Sequence, residues 1–101
     1  MKLTVLERIR LIGLLPKNSG YATFKIISDL QMRLSFTERE YKDFGISEGD
    51  GQIVFKSNKE AEIDIGEKAG DIIIKALKDA DEQGEINGEN ITLYEKFIIN
   101  T

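Results

Sequence analysis

Read for its apolar positions, the chain opens on a crowded helical stretch. Leu6, Ile9 and Ile12 form one stripe and Val5, Leu11, Leu14 and Leu15 widen it, which predicts a helix over 5–15 buried on more than one side. Thr4 followed by Glu7 matches the capping box, in which each side chain satisfies a backbone N–H left free at a helix start. Pro16, the only proline, with Asn18, Ser19 and Gly20, ends the helix. A second helix over 22–34 repeats Ile26, Ile27, Leu30 and Leu34 at helical spacing and carries Lys25, Asp29 and Arg33 on another face. Thr37 and Glu40 form a second capping box before TEREYKDF, a short helix over 38–44. Phe36, Tyr41 and Phe44 would dock it, and Gly45 would end it in the left-handed conformation open to glycine.

The period then changes. After the turn Glu48-Gly49-Asp50-Gly51, apolar and polar residues alternate over 52–56 and again over 61–65, with Ser57, Asn58 and Lys59 between them. This predicts one antiparallel hairpin, 52–56 against 61–65, with Ile53, Phe55, Ile63 and Ile65 facing the helices. That packing is needed, because an isolated two-stranded hairpin is marginal in water. The longest helix follows over 67–83: Ala69, Ile72, Ile73, Ala76 and Ala80 lie on one side and Ile74 and Leu77 on another, and Gly84 ends it. Thr92 and Glu95 predict a third capping box for a last helix over 91–99 carrying Ile91, Tyr94, Phe97 and Ile98. The expected fold is a single α+β domain over 1–101, five helices and one antiparallel β-hairpin in the order ααα-ββ-αα.

Composition narrows the chemistry. The 101 residues are 41% hydrophobic and 32% charged, enough for one core and no second domain. The apolar runs are far shorter than the roughly 20 residues that cross a bilayer. Glu7, Arg8 and Arg10 interrupt what would otherwise be the apolar segment of a signal peptide, so a cytoplasmic location is expected. With no histidine and no cysteine, Ser-His-Asp catalysis, Cys-His catalysis and the common zinc sites are all closed to it. Phosphate-binding glycine loops are missing too. No catalytic, cofactor or metal residue is assigned, and the expectation is a protein that is not an enzyme.

Two partial motifs remain. The stretch 79-DADEQGEINGEN-90 resembles a calcium-binding EF-hand loop at Asp79, Asp81, Gln83, Gly84 and Ile86, but Asn90 stands where a bidentate glutamate is required. A helix end followed by a polar link is the better reading. Three helices and a hairpin is also the element order of a winged helix, which would make TEREYKDF the recognition helix and the hairpin the wing. That helix holds Glu38, Glu40 and Asp43 against Arg39 and Lys42, and the hairpin sets Glu60, Glu62 and Asp64 against Lys56 and Lys59. Acid would meet phosphate. Basic charge collects instead in residues 1–36, where Lys2, Arg8, Arg10, Lys17, Lys25 and Arg33 face only Glu7 and Asp29, within a chain of net charge -4.

What is left is adhesion to another polypeptide. Surplus apolar positions, Val5, Leu11 and Leu14 on the first helix or Ile74 and Leu77 on the fourth, together with the outer hairpin edge, predict a protein partner and a homodimer. The phrases MKLTVLERI, LLP, LSFTEREYKDFGI, GQIVFK, AEIDIGEKAGDIIIKALKDAD and ITLYEKFI span nearly the whole chain. In them it resembles a group of small uncharacterised proteins encoded by bacteriophages and prophages of Gram-positive bacteria. That resemblance implies a non-enzymatic accessory or host-modulating protein in the host cytoplasm. The alternative is a winged-helix-like DNA-binding transcriptional regulator.

Overall fold

Each expected helix is present in the structure, a computed structural model that describes residues 1–100. The helices are α1 (Val5–Leu14), α2 (Tyr21–Leu34), α3 (Glu38–Asp43), α4 (Glu67–Glu82) and α5 (Ile91–Tyr94), and the last continues into a π-helical turn, Glu95–Ile99. Four short strands accompany them: β1 (Lys2–Thr4), β2 (Ser47–Gly49), β3 (Gln52–Val54) and β4 (Glu60–Glu62). The class is α+β.

Local chemistry explains the helix ends. Thr4 Oγ1 accepts from Glu7 N at 3.1 Å while Glu7 Oε1 accepts from Thr4 N at 2.9 Å. Thr37 and Glu40 repeat the exchange at 3.1 and 2.9 Å. At the other end of α3, Gly45 takes φ 62° and the Ile46 N–H reaches back to the Tyr41 carbonyl at 3.0 Å, burying Ile46. Gly84, at φ 70°, closes α4 in the same way through Glu85 N and the Ala80 carbonyl. The third capping box does not form. Helix α5 starts at Ile91, so Thr92 already lies inside it, and the preceding Asn90 makes no side-chain cap.

The strand pairing also departs from the pattern. The hairpin predicted between 52–56 and 61–65 is absent: β3 pairs with β2, and β4 pairs with β1 at the start of the chain. The cause is the pair Asp50-Gly51, whose φ values of 53° and 74° form a two-residue turn of the tight hairpin type. That turn fixes Gly49 opposite Gln52 and puts the hairpin at 47–54, before the alternation of the fourth strand begins. Strand β4, freed from β3, sets Ala61 opposite Leu3, and Leu3 is wholly buried. Ile63 and Ile65 enter the core as expected, whereas Ile53 remains 41% exposed and Phe55 is only half-buried.

The core joins α1, α2, α4 and α5 through Leu11, Ile27, Leu30, Leu34, Ile73, Leu77, Leu93 and Phe97. Its line along α1 is Val5, Arg8, Leu11 and Leu15, while Leu6, Ile9 and Ile12 are only half-buried. Val5, Leu11 and Leu77 are therefore not surplus surface; the fold consumes them.

Candidate functional site

Helix α1 buries two consecutive charged residues, Glu7 at 3% exposure and Arg8 at 1%. Successive helix positions point about 100° apart, so each side chain meets a different set of neighbours. Arg8 reaches toward the α2–α3 junction. Its Nε donates to the Leu34 carbonyl at 3.1 Å, its Nη2 to the Ser35 carbonyl at 2.8 Å, and its two Nη atoms grip the Glu40 carboxylate at 2.6 and 3.1 Å. The guanidinium also lies 4.2 Å from the centre of the Phe36 ring. Arg8 thus takes up carbonyls at the end of α2, and Glu40, already engaged in the α3 cap, becomes its counter-ion. Hydrogen bonds from Arg8 hold the Glu40 carboxyl below its ordinary 4.5, against the opposing effect of partial burial.

Glu7 faces the other way, toward the chain's end. Lys96 Nζ, on the π turn, donates to Glu7 at 2.7 Å, to the Lys2 carbonyl at 2.9 Å and to Glu60 at 3.3 Å. One ammonium therefore ties together β1, β4, α1 and the last helical turn. Burial works to raise the Glu7 pKa, but the bonds from Lys96, the Thr4 amide and Thr92 outweigh it, and the net shift is downward from 4.5. For Lys96 burial would lower the pKa, and the two carboxylates reverse that, holding it above 10.5.

These networks do not make an acid–base site. Both carboxylates are held ionised by their partners, and among the described residues no buried side-chain nitrogen or oxygen lacks a hydrogen bond. A general base near neutral pH needs the opposite bias, a carboxyl pushed upward and left free to accept a proton. The chemistry of this pair of networks is tethering.

The partial motifs are absorbed in similar fashion. Asp79 and Asp81 remain within α4, where Asp79 pairs with Lys75 at 3.3 Å and Asp81 accepts from the Tyr94 hydroxyl at 3.2 Å. Asn90 spends its amide on the loop itself, accepting from Asn87 N at 2.8 Å and donating to the Glu85 carbonyl at 3.1 Å. Helix α3 carries exposed Arg39 bonded to Asp43 at 3.4 Å, and its Tyr41 hydroxyl donates to Glu48 of the hairpin at 3.1 Å. The basic excess of residues 1–36 is likewise partly spent: Arg8 is buried on Glu40, Arg10 pairs with Glu89, and Arg33 donates to the Asp64 carbonyl.

No family model, curated protein or solved structure matches the chain. Its own surface is then what there is to read. An open cleft of about 710 Å³ lies between α1, α2 and α4, floored by Leu14, Ile72, Ala76 and Ala80. Lys75 and Asp79 at its edge pair with each other, and the charge left on its lining is the single carboxylate of Glu85.

The feature that sequence reasoning missed lies on α2. Tyr21 is 82% exposed, Met32 75% and Phe24 40%, and the small Ser28 sits half-buried in line with them. At about 100° per residue these four positions fall within an arc of roughly 80°, on the side of the helix turned away from Ile27, Leu30 and Leu34. In the sequence α2 reads as an ordinary amphipathic helix because its core stripe is complete. The signal was a second row at positions 21, 24, 28 and 32, with large apolar groups at three of the four and one serine as a gap.

Proposed function

We propose that the chain is a non-enzymatic accessory protein that works in the host cytoplasm by binding another polypeptide, and that the α2 face is where it binds. The observation that carries this reading is the exposed row Tyr21, Phe24 and Met32. Exposed aromatic and methionine side chains grouped on one helix are a poor use of surface unless something covers them. The resemblance to phage-encoded proteins supports an accessory or host-modulating role. The absence of imidazole and thiol, with the buried carboxylates engaged in tethering, supports a protein that holds rather than transforms its partner.

A photo-crosslinking amino acid at position 21 or 32, with position 59 before β4 as control, tests the reading in lysate of a Gram-positive host. Discrete polypeptide adducts from 21 and 32, suppressed by excess unlabelled chain, are expected. Adducts no stronger than those from 59 would overturn it. Salt-sensitive retention of random duplex DNA would instead revive the regulator reading.

A further inference from the structure

This inference rests on the reading of α2 as a protein-binding face and names the occupant. We infer that the face is covered by α2 of a second copy of this chain, packed antiparallel about a two-fold axis. Among the described residues, no ion pair within the chain uses Lys25 or Asp29. Both are exposed, and they stand one turn apart on the same border of the row formed by Tyr21, Phe24, Ser28 and Met32. The other border carries Gln31 and no charge.

An antiparallel two-fold keeps that border on one side of both helices and reverses its direction. Centred near residue 27, it brings Lys25 level with Asp29 of the second copy and, by symmetry, Asp29 level with its Lys25. The same register layers the row by size. Tyr21 meets Met32 of the second copy, and the Phe24 ring lies over its Ser28, where a short side chain leaves room for an aromatic one. Both contacts recur in mirror order along the helix. The serine that interrupts the apolar row is thus the recess that the row's own phenylalanine fits. A partner of unrelated sequence would have no reason to match this order of charge and bulk, whereas a second copy matches it by construction.

The size fits a modest association. Helix α2 has 14 residues, which makes it about 21 Å long. Closing such a face buries on the order of 1,000 Å² over the two copies, the lower bound for a specific interface, so a micromolar dimer is expected rather than an obligate one.

The test is a charge swap read by sedimentation velocity on the full chain across a concentration series. The wild type should move from monomer to dimer. K25D and D29K, each of which sets like charges against each other twice, should each weaken association by about tenfold. An equimolar mixture of K25D and D29K should restore it, because every Asp then faces a Lys; the doubly substituted K25D/D29K chain should do the same. Recovery in the mixture excludes misfolding as the cause of the single-variant losses. A wild type that stays monomeric at millimolar concentration, or a mixture no tighter than its components, would overturn the second copy as occupant. Adducts to other proteins from positions 21 and 32 would persist in that case and leave the binding reading standing.

Discussion

Replacing Arg8 with alanine should be among the most damaging single changes in this chain. The guanidinium is 1% exposed and serves three acceptors at once: the Leu34 carbonyl, the Ser35 carbonyl and the Glu40 carboxylate. Removing it leaves the buried Leu34 carbonyl short of a donor, at about 1–3 kcal/mol, while the part-buried Ser35 carbonyl costs less because water can reach it. It also opens a cavity beside Phe36. Glu40, whose side chain is 20% exposed, recovers part of its hydration, so its contribution is smaller. The sum is about 4 kcal/mol, within the range for breaking a buried ion pair and a large share of the stability of a domain this size. Urea unfolding followed by circular dichroism should show the midpoint falling by about 2–4 M at an m-value of about 1–2 kcal/mol/M. R8M/E40M fills the cavity but leaves the same carbonyls without a donor and removes the Glu40 half of the α3 capping box, so it should lose about as much as R8A. The pair also sets an acid limb. Glu40 titrates lower in the folded chain than its ordinary 4.5, so its stabilisation is complete above that pH and is lost as pH falls through the folded value. That limb should shrink in R8M/E40M. A loss below about 1 kcal/mol for R8A would refute the account, since such a value belongs to exposed ion pairs.

Two further outcomes follow from the same physics. Lys96→Met leaves Glu7 buried without its cation; the Glu7 pKa, followed by carboxyl NMR, should rise from its lowered value, and stability at neutral pH should drop by about 2–4 kcal/mol. A Glu7 pKa that stays low would show that the capping box alone holds the charge. Because Lys96 titrates above 10.5 when folded, the wild type should also lose stability as pH rises through that higher value, and K96M should lack this alkaline limb. Gly45→Ala should cost more than about 1 kcal/mol in thermal or urea unfolding, because φ is 62° and the new Cβ would sit 2.9 Å from the Lys56 stem. Gly13→Ala, in α1 with nothing within 4 Å, should stabilise by about 0.5–1 kcal/mol, and equal effects at the two positions would contradict the geometry.

The helices were legible because their ends are written in local chemistry. Thr4 with Glu7 and Thr37 with Glu40 are complete within four residues, and Gly45 and Gly84 need no distant partner. Thr92 with Glu95 has the same spelling but failed, because Asn87 and Asn90 organise the loop and put the N-cap of α5 at Asn90, two residues before Thr92. Strand pairing was less legible. Alternation marks where a strand is and says nothing about its partner, and the pairing of residue 3 with residue 61 depends on the whole chain. Asp50-Gly51 could have been read as the hairpin turn, but Ser47–Gly49 before it has no alternation to attract notice. The buried charges were hidden for a similar reason. Nothing near Arg8 in sequence announces Glu40, and nothing near Glu7 announces Lys96. On α2 the outer row escaped notice because Ser28 breaks it, so no run of apolar residues at helical spacing marks that side.

Strand β1 holds residues 2–4, and its mate lies at residues 60–62, so the two ends of that small sheet are separated by more than half the chain. During synthesis residues 2–4 must wait for residues 60–62 before they can pair, and Lys96 clamps them only later still. Helices α2 and α3 and the tight turn at Asp50-Gly51 have no such delay and can form within microseconds. The slow event in folding should therefore be the closing of the loop between β1 and β4. Until then Leu3, wholly buried in the folded chain, stays uncovered.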